Sequence, residues 1–157
     1  MDLKPKSDNN CFGCGGANSR GMQLAFEQDE AARKIRGRFS LDAHYEGAPG
    51  FIHGGVIATL LDEVMSKANR FRQARAVTAE LTVEYLRPVR TGQELVVEGW
   101  ETEARGRNLF LAGEIRDAAG GTVLARGRGR FVDLDAPRDD RGSRPEQSSA
   151  LPRTETH

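Results

Sequence analysis

One segment in the middle of this 157-residue chain has the apolar spacing of a helix, and every other patterned segment alternates with a period of two. The helix is predicted to begin after His53-Gly54-Gly55 and to run to about Phe71. Its apolar face is wide, and the side chains that form it recur at helical spacing: Ile57, Leu60, Leu61, Val64, Ala68 and Phe71. Such a face must pack against another apolar surface, so the fold has to be built around this helix.

Six segments alternate between apolar and polar residues as half-buried strands do: 22–28, 34–41, 77–85, 94–103, 108–117 and 122–133. Short turn sequences that contain glycine separate the last four of them. Two strands before one helix and four strands after it predict an α+β fold. We expect an antiparallel sheet of about six strands wrapped around one long central helix.

The two ends of the chain differ from this patterned region. Residues 1–20 are interpreted as an irregular lead-in that contains both cysteines, and residues 21–134 as a single domain. Residues 135–157 are rich in Pro, Ser and charge, so a disordered tail is predicted there. No apolar run reaches the roughly 20 residues of a membrane span and no signal segment is evident, so a cytoplasmic location is expected. The 23 basic and 23 acidic residues balance, so neither nucleic acid nor a membrane is predicted as a partner.

Asp62 lies in the middle of the predicted helix, among apolar residues, where an unpaired acid is costly to bury. Its neighbours on the helix surface are mostly small or polar: Gly55, Ala58, Thr59, Met65 and Ser66. A strip of this kind leaves room for a ligand beside one carboxylate, which makes Asp62 a candidate catalytic acid. The alternative is that Asp62 is an exposed acid on a polar helix face.

The glycine pair that opens the helix is a second candidate site. Backbone N–H groups at a helix N-terminus lack partners and lie at the positive end of the helix dipole, so Gly54 and Gly55 are suited to hold an oxyanion. Alternatively, the pair serves only to make a tight turn. His53 is either catalytic or a structural residue of that turn.

Gly54 and Asp62 are separated by eight residues, which corresponds to roughly 12 Å along a straight helix. One reacting carbonyl cannot touch both groups at that distance. A twofold homodimer with antiparallel helices would place Gly54 of one chain near Asp62 of the other.

Cys11 and Cys14 are the only cysteines, and this C-x-x-C pair supplies two of the four ligands that a structural zinc ion needs. The sequence contains no second pair, and its three histidines are scattered at His44, His53 and His157. No metal site is therefore predicted.

The segment G-x-P-G-F-I-H-G-G-x-x-A-T-L-L-D at 47–62 resembles the motif of PaaI-like acyl-CoA thioesterases in the 4-hydroxybenzoyl-CoA thioesterase superfamily. Two other segments resemble the same group: C-F-G-C-G-x-x-N-x-x-G-M-Q-L-x-F at 11–26 and V-T-A-E-L-T-V-E-Y-L-R-P at 77–88. The resemblance covers about residues 11–133 and implies a hotdog fold. It also implies a homodimer or a dimer of dimers that hydrolyses acyl-CoA thioesters without a metal or organic cofactor.

The resemblance assigns roles to the candidate residues. Asp62 would be the general base or the nucleophile, the Gly54 N–H would form the oxyanion hole, and Thr78 would hold the attacking water. His53 and Gly55 complete the candidate catalytic set.

Two local features qualify these roles. By strand alternation alone, Thr78 shares an exposed polar face with Glu80 and Thr82. The chain also departs from several relatives at Gly47, where they carry an asparagine or glutamine that helps to orient the substrate or water. In this chain that role falls to Glu46, to backbone groups or to no residue.

Coenzyme A carries phosphates, which arginine side chains bind well. The resemblance places the nucleotide near two clusters: Arg87, Pro88 and Arg90 in one, and Arg105, Gly106 and Arg107 in the other.

Two other functions fit the same sequence. One is a hotdog acyl-thioester dehydratase or hydratase, and the other is a non-catalytic acyl-CoA-binding sensor.

Overall fold

The computed structural model describes residues 1–138 and contains one long helix and seven strands. The helix α1 spans Gly54–Ala68. The strands are β1 (Asp2–Leu3), β2 (Phe26–Asp29), β3 (Lys34–Ser40), β4 (Ala76–Tyr85), β5 (Glu94–Arg105), β6 (Asn108–Asp117) and β7 (Val123–Asp133). A disordered tail was predicted at 135–157, and residues 139–157 of it lie outside the described part of the chain.

The strands form a single antiparallel sheet in the order β1-β2-β3-β5-β6-β7-β4. This confirms the predicted α+β architecture. One strand, β1, was not predicted, because its two residues are too few to show an alternating pattern. Since α1 lies between β3 and β4 in the sequence, the chain crosses one face of the sheet and β4 joins β7 at the far edge.

The apolar face of α1 packs on the sheet and forms the centre of the core. The buried residues of α1 are Ile57, Leu60, Leu61, Val64, Met65 and Ala68. Two details differ from the prediction. The α-helix ends at Ala68 and a 3₁₀ segment follows at Asn69–Arg72, so Phe71 is only half-buried. Met65 was expected beside Asp62, but it is fully buried because its flexible side chain turns toward the sheet.

Three glycines paired across neighbouring strands allow α1 to approach the sheet closely. Gly99 of β5 lies opposite Gly113 of β6, and Gly113 lies opposite Gly127 of β7. A Cβ on Gly99 would lie 2.7 Å from the Val64 carbonyl oxygen, and a Cβ on Gly127 would lie 3.2 Å from the Met65 methyl group. We call these three residues the glycine row.

Gly99→Ala is expected to lower the free energy of unfolding by about 1–3 kcal/mol, a typical cost of overpacking. The contact at 2.7 Å is with helix backbone, which cannot rotate away as a side chain can. Gly120→Ala is the matched control, because the nearest atom would lie 3.9 Å from its new Cβ. Denaturant unfolding measures both variants. A Gly99→Ala chain as stable as the control would show that α1 does not depend on the glycine row.

Strand β4 is the sheet edge nearest to the candidate catalytic residues, and it pairs only with β7 among the described strands. Most of its residues are exposed. Large apolar side chains are among them: Val77 is 49% exposed and Tyr85 is 55% exposed. A strand with a free edge and apolar exposed residues is an available surface for pairing with another strand.

Candidate functional site

Asp62 and Thr78 form the closest polar contact between α1 and β4. The Thr78 hydroxyl donates a hydrogen bond to Asp62 Oδ1 at 2.7 Å. Asp62 is half-buried, whereas Thr78 is exposed in the single chain. The structure therefore brings together the two residues to which the resemblance assigns the acid and the water.

The protonation of Asp62 reflects its position on α1. Burial raises the pKa of this carboxyl group above its ordinary value, because the charged form loses contact with water. The hydrogen bond from Thr78 lowers the pKa, and the nearby charge of Glu63 raises it, but burial is the largest cause. A carboxylate with a raised pKa is a stronger proton acceptor than an exposed aspartate.

A β-bulge in β4 determines the direction of Thr78. Thr78 lies opposite Phe131 of β7, whereas Glu80 lies opposite Arg130, so β4 uses one extra residue between them. Residues directly opposite in an antiparallel pair point to the same side of the sheet. Thr78 therefore shares the inner face with the buried Phe131, and Glu80 shares the outer face with Arg130, whose Nε lies 3.7 Å from it. The predicted common face of Thr78 and Glu80 was wrong because alternation assumes a regular strand.

The start of α1 is organised by His53 and presents Gly54. His53 is the N-cap residue, and its Nδ1 accepts a hydrogen bond from the Gly55 N–H at 2.9 Å. Gly54 is the first helical residue, a position at which an α-helix supplies no acceptor for the N–H. The Gly55 N–H is thus occupied by the cap, and Gly54 is the better-placed donor of the predicted pair.

Tyr85 supports the same turn from the end of β4, and sequence reasoning missed it. Its hydroxyl donates a hydrogen bond to the Gly54 carbonyl oxygen at 2.8 Å. In the sequence Tyr85 was interpreted only as an apolar member of the strand. The available signal was its hydroxyl, which can donate a hydrogen bond while the ring packs.

A cleft of about 270 Å³ adjoins this turn and contains part of the first predicted arginine cluster. Its lining includes Gly54, Tyr85, Arg87 and Pro88 together with apolar side chains of α1 and β7. Arg90 does not line the cleft; its backbone forms an isolated bridge with Phe51 in the motif segment. The structure thus places Arg87 and Pro88 directly beside the Gly54 turn.

The second predicted cluster, at the β5–β6 hairpin, lies at the opposite end of the sheet, where β7 separates β6 from the edge strand β4. Arg105 forms an ion pair with Glu103 at 2.7 Å, and Gly106 makes the turn with φ 55°. The strand register aligns this hairpin with the start of β4 and aligns the cleft with its end. Because β4 has ten residues, the two clusters are roughly 30 Å apart in one chain. Arg107, half-buried beside the turn, belongs to the distant cluster.

Residues 46–50 form the turn that precedes the motif histidine. Glu46 accepts a hydrogen bond from the Gly50 N–H at 3.1 Å, so this acid stabilises the turn. A Cβ on Gly47 would lie 3.1 Å from the His53 Cα. There is little room here for a side chain larger than that of glycine.

The described helix also keeps Gly54 and Asp62 apart. Both lie on the continuous helix α1, so the estimate of roughly 12 Å between them holds in the folded chain. The two parts of the candidate site therefore do not meet within one chain.

Comparisons with known proteins agree with these features. The family model of the Thioesterase superfamily matches residues 49–124. The acyl-coenzyme A thioesterase THEM4 of Rattus norvegicus is 30% identical over 115 residues, which are 73% of this chain and 50% of that protein. The chain thus spans about half the length of the relatives of this name from rat, mouse and Xenopus laevis.

Solved structures of thioesterase superfamily proteins also resemble this chain. A crystal structure of a thioesterase superfamily protein is 34% identical with a TM-score of 0.73, covering 79% of this chain and 60% of that one. A Streptococcus mutans protein bound to acetyl-CoA is 18% identical with a TM-score of 0.60, covering 63% of this chain and 79% of that one, which shows a likeness of fold alone. Among residues 1–138, no helix has the length and hydropathy needed to cross a bilayer. The cytoplasmic location stays a prediction.

Proposed function

Because the chain belongs to the thioesterase superfamily, we propose that it hydrolyses an acyl-CoA thioester to a free acid and CoA. Its antiparallel sheet around one helix is the hotdog fold that the sequence resemblance implied. The rat relative is named an acyl-coenzyme A thioesterase, and the Streptococcus mutans protein is bound to acetyl-CoA. The name of the rat relative supports acyl-CoA as the substrate class.

The hydrogen bond between Thr78 and Asp62 carries the proposal most directly. The bulge in β4 turns the Thr78 hydroxyl inward, and burial makes the Asp62 carboxylate a better base. A water molecule beside this pair would lose a proton to Asp62 while it attacks the thioester carbonyl.

The reaction follows from these positions. The thioester oxygen accepts a hydrogen bond from the Gly54 N–H and becomes negatively charged as hydroxide adds to the carbonyl carbon. The carbon–sulfur bond then breaks, and the CoA thiolate takes a proton from Asp62. In the alternative route, Asp62 itself attacks the carbonyl, CoA leaves, and water hydrolyses the mixed anhydride. Both routes need the same donor and the same acid.

A homodimer supplies both parts of the site. The free edge and exposed apolar residues of β4 support pairing of two copies along this strand. A twofold axis makes such a pair antiparallel, so the Thr78 end of one β4 lies beside the Tyr85 end of the other. Asp62 of one chain then approaches Gly54 of the partner, and this happens twice.

The same arrangement brings the two arginine clusters together. In one chain, Arg87 lies beside Gly54 and the hairpin of Arg105 and Arg107 lies near Thr78. Antiparallel pairing of the two β4 strands places the β5–β6 hairpin of one chain at the end of the sheet where the partner's cleft lies. A single CoA molecule would then contact Arg87 at the cleft of one chain and the hairpin arginines of the other chain.

Assay of the purified chain against a panel of acyl-CoA thioesters tests the proposed function. We expect free thiol to appear together with the carboxylic acid. Formation or loss of a double bond without thiol release would indicate the dehydratase or hydratase. Saturable acyl-CoA binding without any turnover would indicate the sensor. Either outcome would contradict the proposed hydrolysis.

The pH dependence of kcat/KM tests the role of the Asp62–Thr78 contact. Activity needs ionised Asp62, so it should fall as the pH drops through the pKa of this group, which burial raises above its ordinary value. Thr78→Val removes a hydrogen bond that lowers the pKa, so the acid limb should move to higher pH. Thr78→Ser keeps the hydroxyl and should keep the wild-type limb. Identical acid limbs in all three proteins would exclude Asp62 as the titrating base.

A further inference from the structure

Three potential metal ligands from distant parts of the chain meet beside α1. Cys11 and Cys14 of the lead-in lie next to Glu63, and their donor atoms are all within 4.8 Å of one another. The Cys11 thiol donates a hydrogen bond to Glu63 Oε1 at 3.2 Å. The sequence showed only two ligands, because the third lies on the helix and folding alone brings it near.

The lead-in is shaped to approach the Glu63 side chain. A Cβ on Gly13, between the two cysteines, would lie 2.4 Å from the Glu63 side-chain atoms. The Gly15 N–H donates to the Cys11 carbonyl oxygen at 2.9 Å and closes a tight turn around the C-x-x-C segment. Glycine at position 13 thus allows the loop to lie directly against the carboxylate. Gly13 and Cys14 are both buried, so this contact is a packed one.

Lys67 completes the charge balance of the cluster. It lies one helical turn after Glu63, and its Nζ donates to Cys14 Sγ at 2.9 Å. Two thiolates and one carboxylate carry three negative charges. A divalent cation and the Lys67 ammonium carry three positive charges, so the complete cluster is neutral, as a partly buried ionic site requires.

We propose that Cys11, Cys14 and Glu63 bind one Zn²⁺ ion that fastens the lead-in to α1. Thiolate and carboxylate are ordinary zinc ligands, and three protein ligands leave the fourth position for water. Lys67 supports the site from outside by its hydrogen bond to Cys14. The ion stabilises the fold on a helix face next to Asp62 and takes no part in hydrolysis, so the proposal is independent of the proposed function.

Titration of the full-length chain with Zn²⁺ tests the site directly. The metal-free chain with both thiols reduced should bind one Zn²⁺ tightly, and its unfolding temperature should rise with Zn²⁺ concentration. Co²⁺ in place of Zn²⁺ should give the thiolate-to-metal absorption band of a tetrahedral site. Lys67→Met should weaken Zn²⁺ binding by about 10–100-fold, the usual effect of removing an outer partner.

Substitution of the ligands separates the site from non-specific binding. Cys11→Ser and Glu63→Gln should each weaken Zn²⁺ binding by more than about a hundredfold, which exceeds the loss from an outer partner. Asp8→Asn changes an exposed acid of the same lead-in and should bind as the wild type does. Glu63→Gln is informative even if the cysteine variant fails to fold, because it leaves both thiols in place.

Several outcomes would overturn the zinc site. The proposal is wrong if the reduced wild-type chain binds neither Zn²⁺ nor Co²⁺. It is also wrong if Glu63→Gln leaves the affinity for Zn²⁺ unchanged, or if the chain is isolated with a Cys11–Cys14 disulfide and no metal.

Discussion

Asp62→Asn is expected to reduce thiol release at least about a hundredfold while the chain keeps its fold, which is within the range for loss of a general base. Asparagine has the same shape, and its side-chain oxygen still accepts the hydrogen bond from Thr78. The structural contact is therefore kept, and only the ability to take a proton or to attack the carbonyl is lost. Steady-state assay at saturating acyl-CoA measures the effect.

Glu80→Gln is the matched control for this prediction. Glu80 is an exposed acid on β4, two residues from Thr78 but on the outer face. Its substitution should leave thiol release close to the wild-type rate. If Asp62→Asn also kept a near-normal rate, with circular dichroism unchanged, Asp62 would have no role in the chemistry.

Gly54→Pro is expected to inactivate the homodimer and to be rescued by a partner chain that carries Asp62→Asn. Loss of one oxyanion donor typically costs about 10²–10³ in kcat. The substitution suits the site, because proline is favoured at the first helical position and His53 already has the extended backbone, φ −58° and ψ 136°, that a residue before proline adopts. Only the N–H is removed.

Mixing the two inactive variants tests whether a site is shared between chains. Random re-pairing after joint unfolding and refolding makes about half of the dimers mixed, and each mixed dimer has one complete site of two. Thiol release should therefore recover to roughly a quarter of the wild-type rate. Each variant refolded alone should stay inactive.

Gly54→Ala is the control for the proline variant. Its Cβ would meet the Tyr85 ring at 3.5 Å, an ordinary contact, and the N–H is retained. This variant should be active without any partner. If the mixture of Gly54→Pro and Asp62→Asn dimerises but stays as inactive as its parents, each site lies within one chain and another donor holds the carbonyl.

The helix and most of the sheet were predictable because their patterns are local. Helical spacing identified α1 to within three residues of its observed end at Ala68, and alternation identified six of the seven strands in residues 1–138. Strand order was not predictable from these patterns. The pairing of β4 with β7 at the sheet edge depends on where the chain crosses the sheet, and no single segment records that.

The candidate site was predictable as a set of residues but not as a geometry. Asp62 was identified as an acid among apolar residues, whereas the inward direction of Thr78 depends on a bulge that alternation cannot detect. The roles of Tyr85 and Glu63 were missed for a related reason. Each acts through a contact with a segment far away in the sequence, and such contacts exist only after folding.

The position of β4 at the sheet edge also affects how the chain behaves during its own synthesis. β4 ends at Tyr85, but its partner β7 begins only at Val123, about 40 residues later. At ordinary translation rates this interval lasts about 2–8 s. Throughout that time β4 has emerged, or is emerging, with neither edge paired and with apolar side chains uncovered. The ribosome-bound chain is therefore most exposed to aggregation, and most in need of chaperones, before β7 is made.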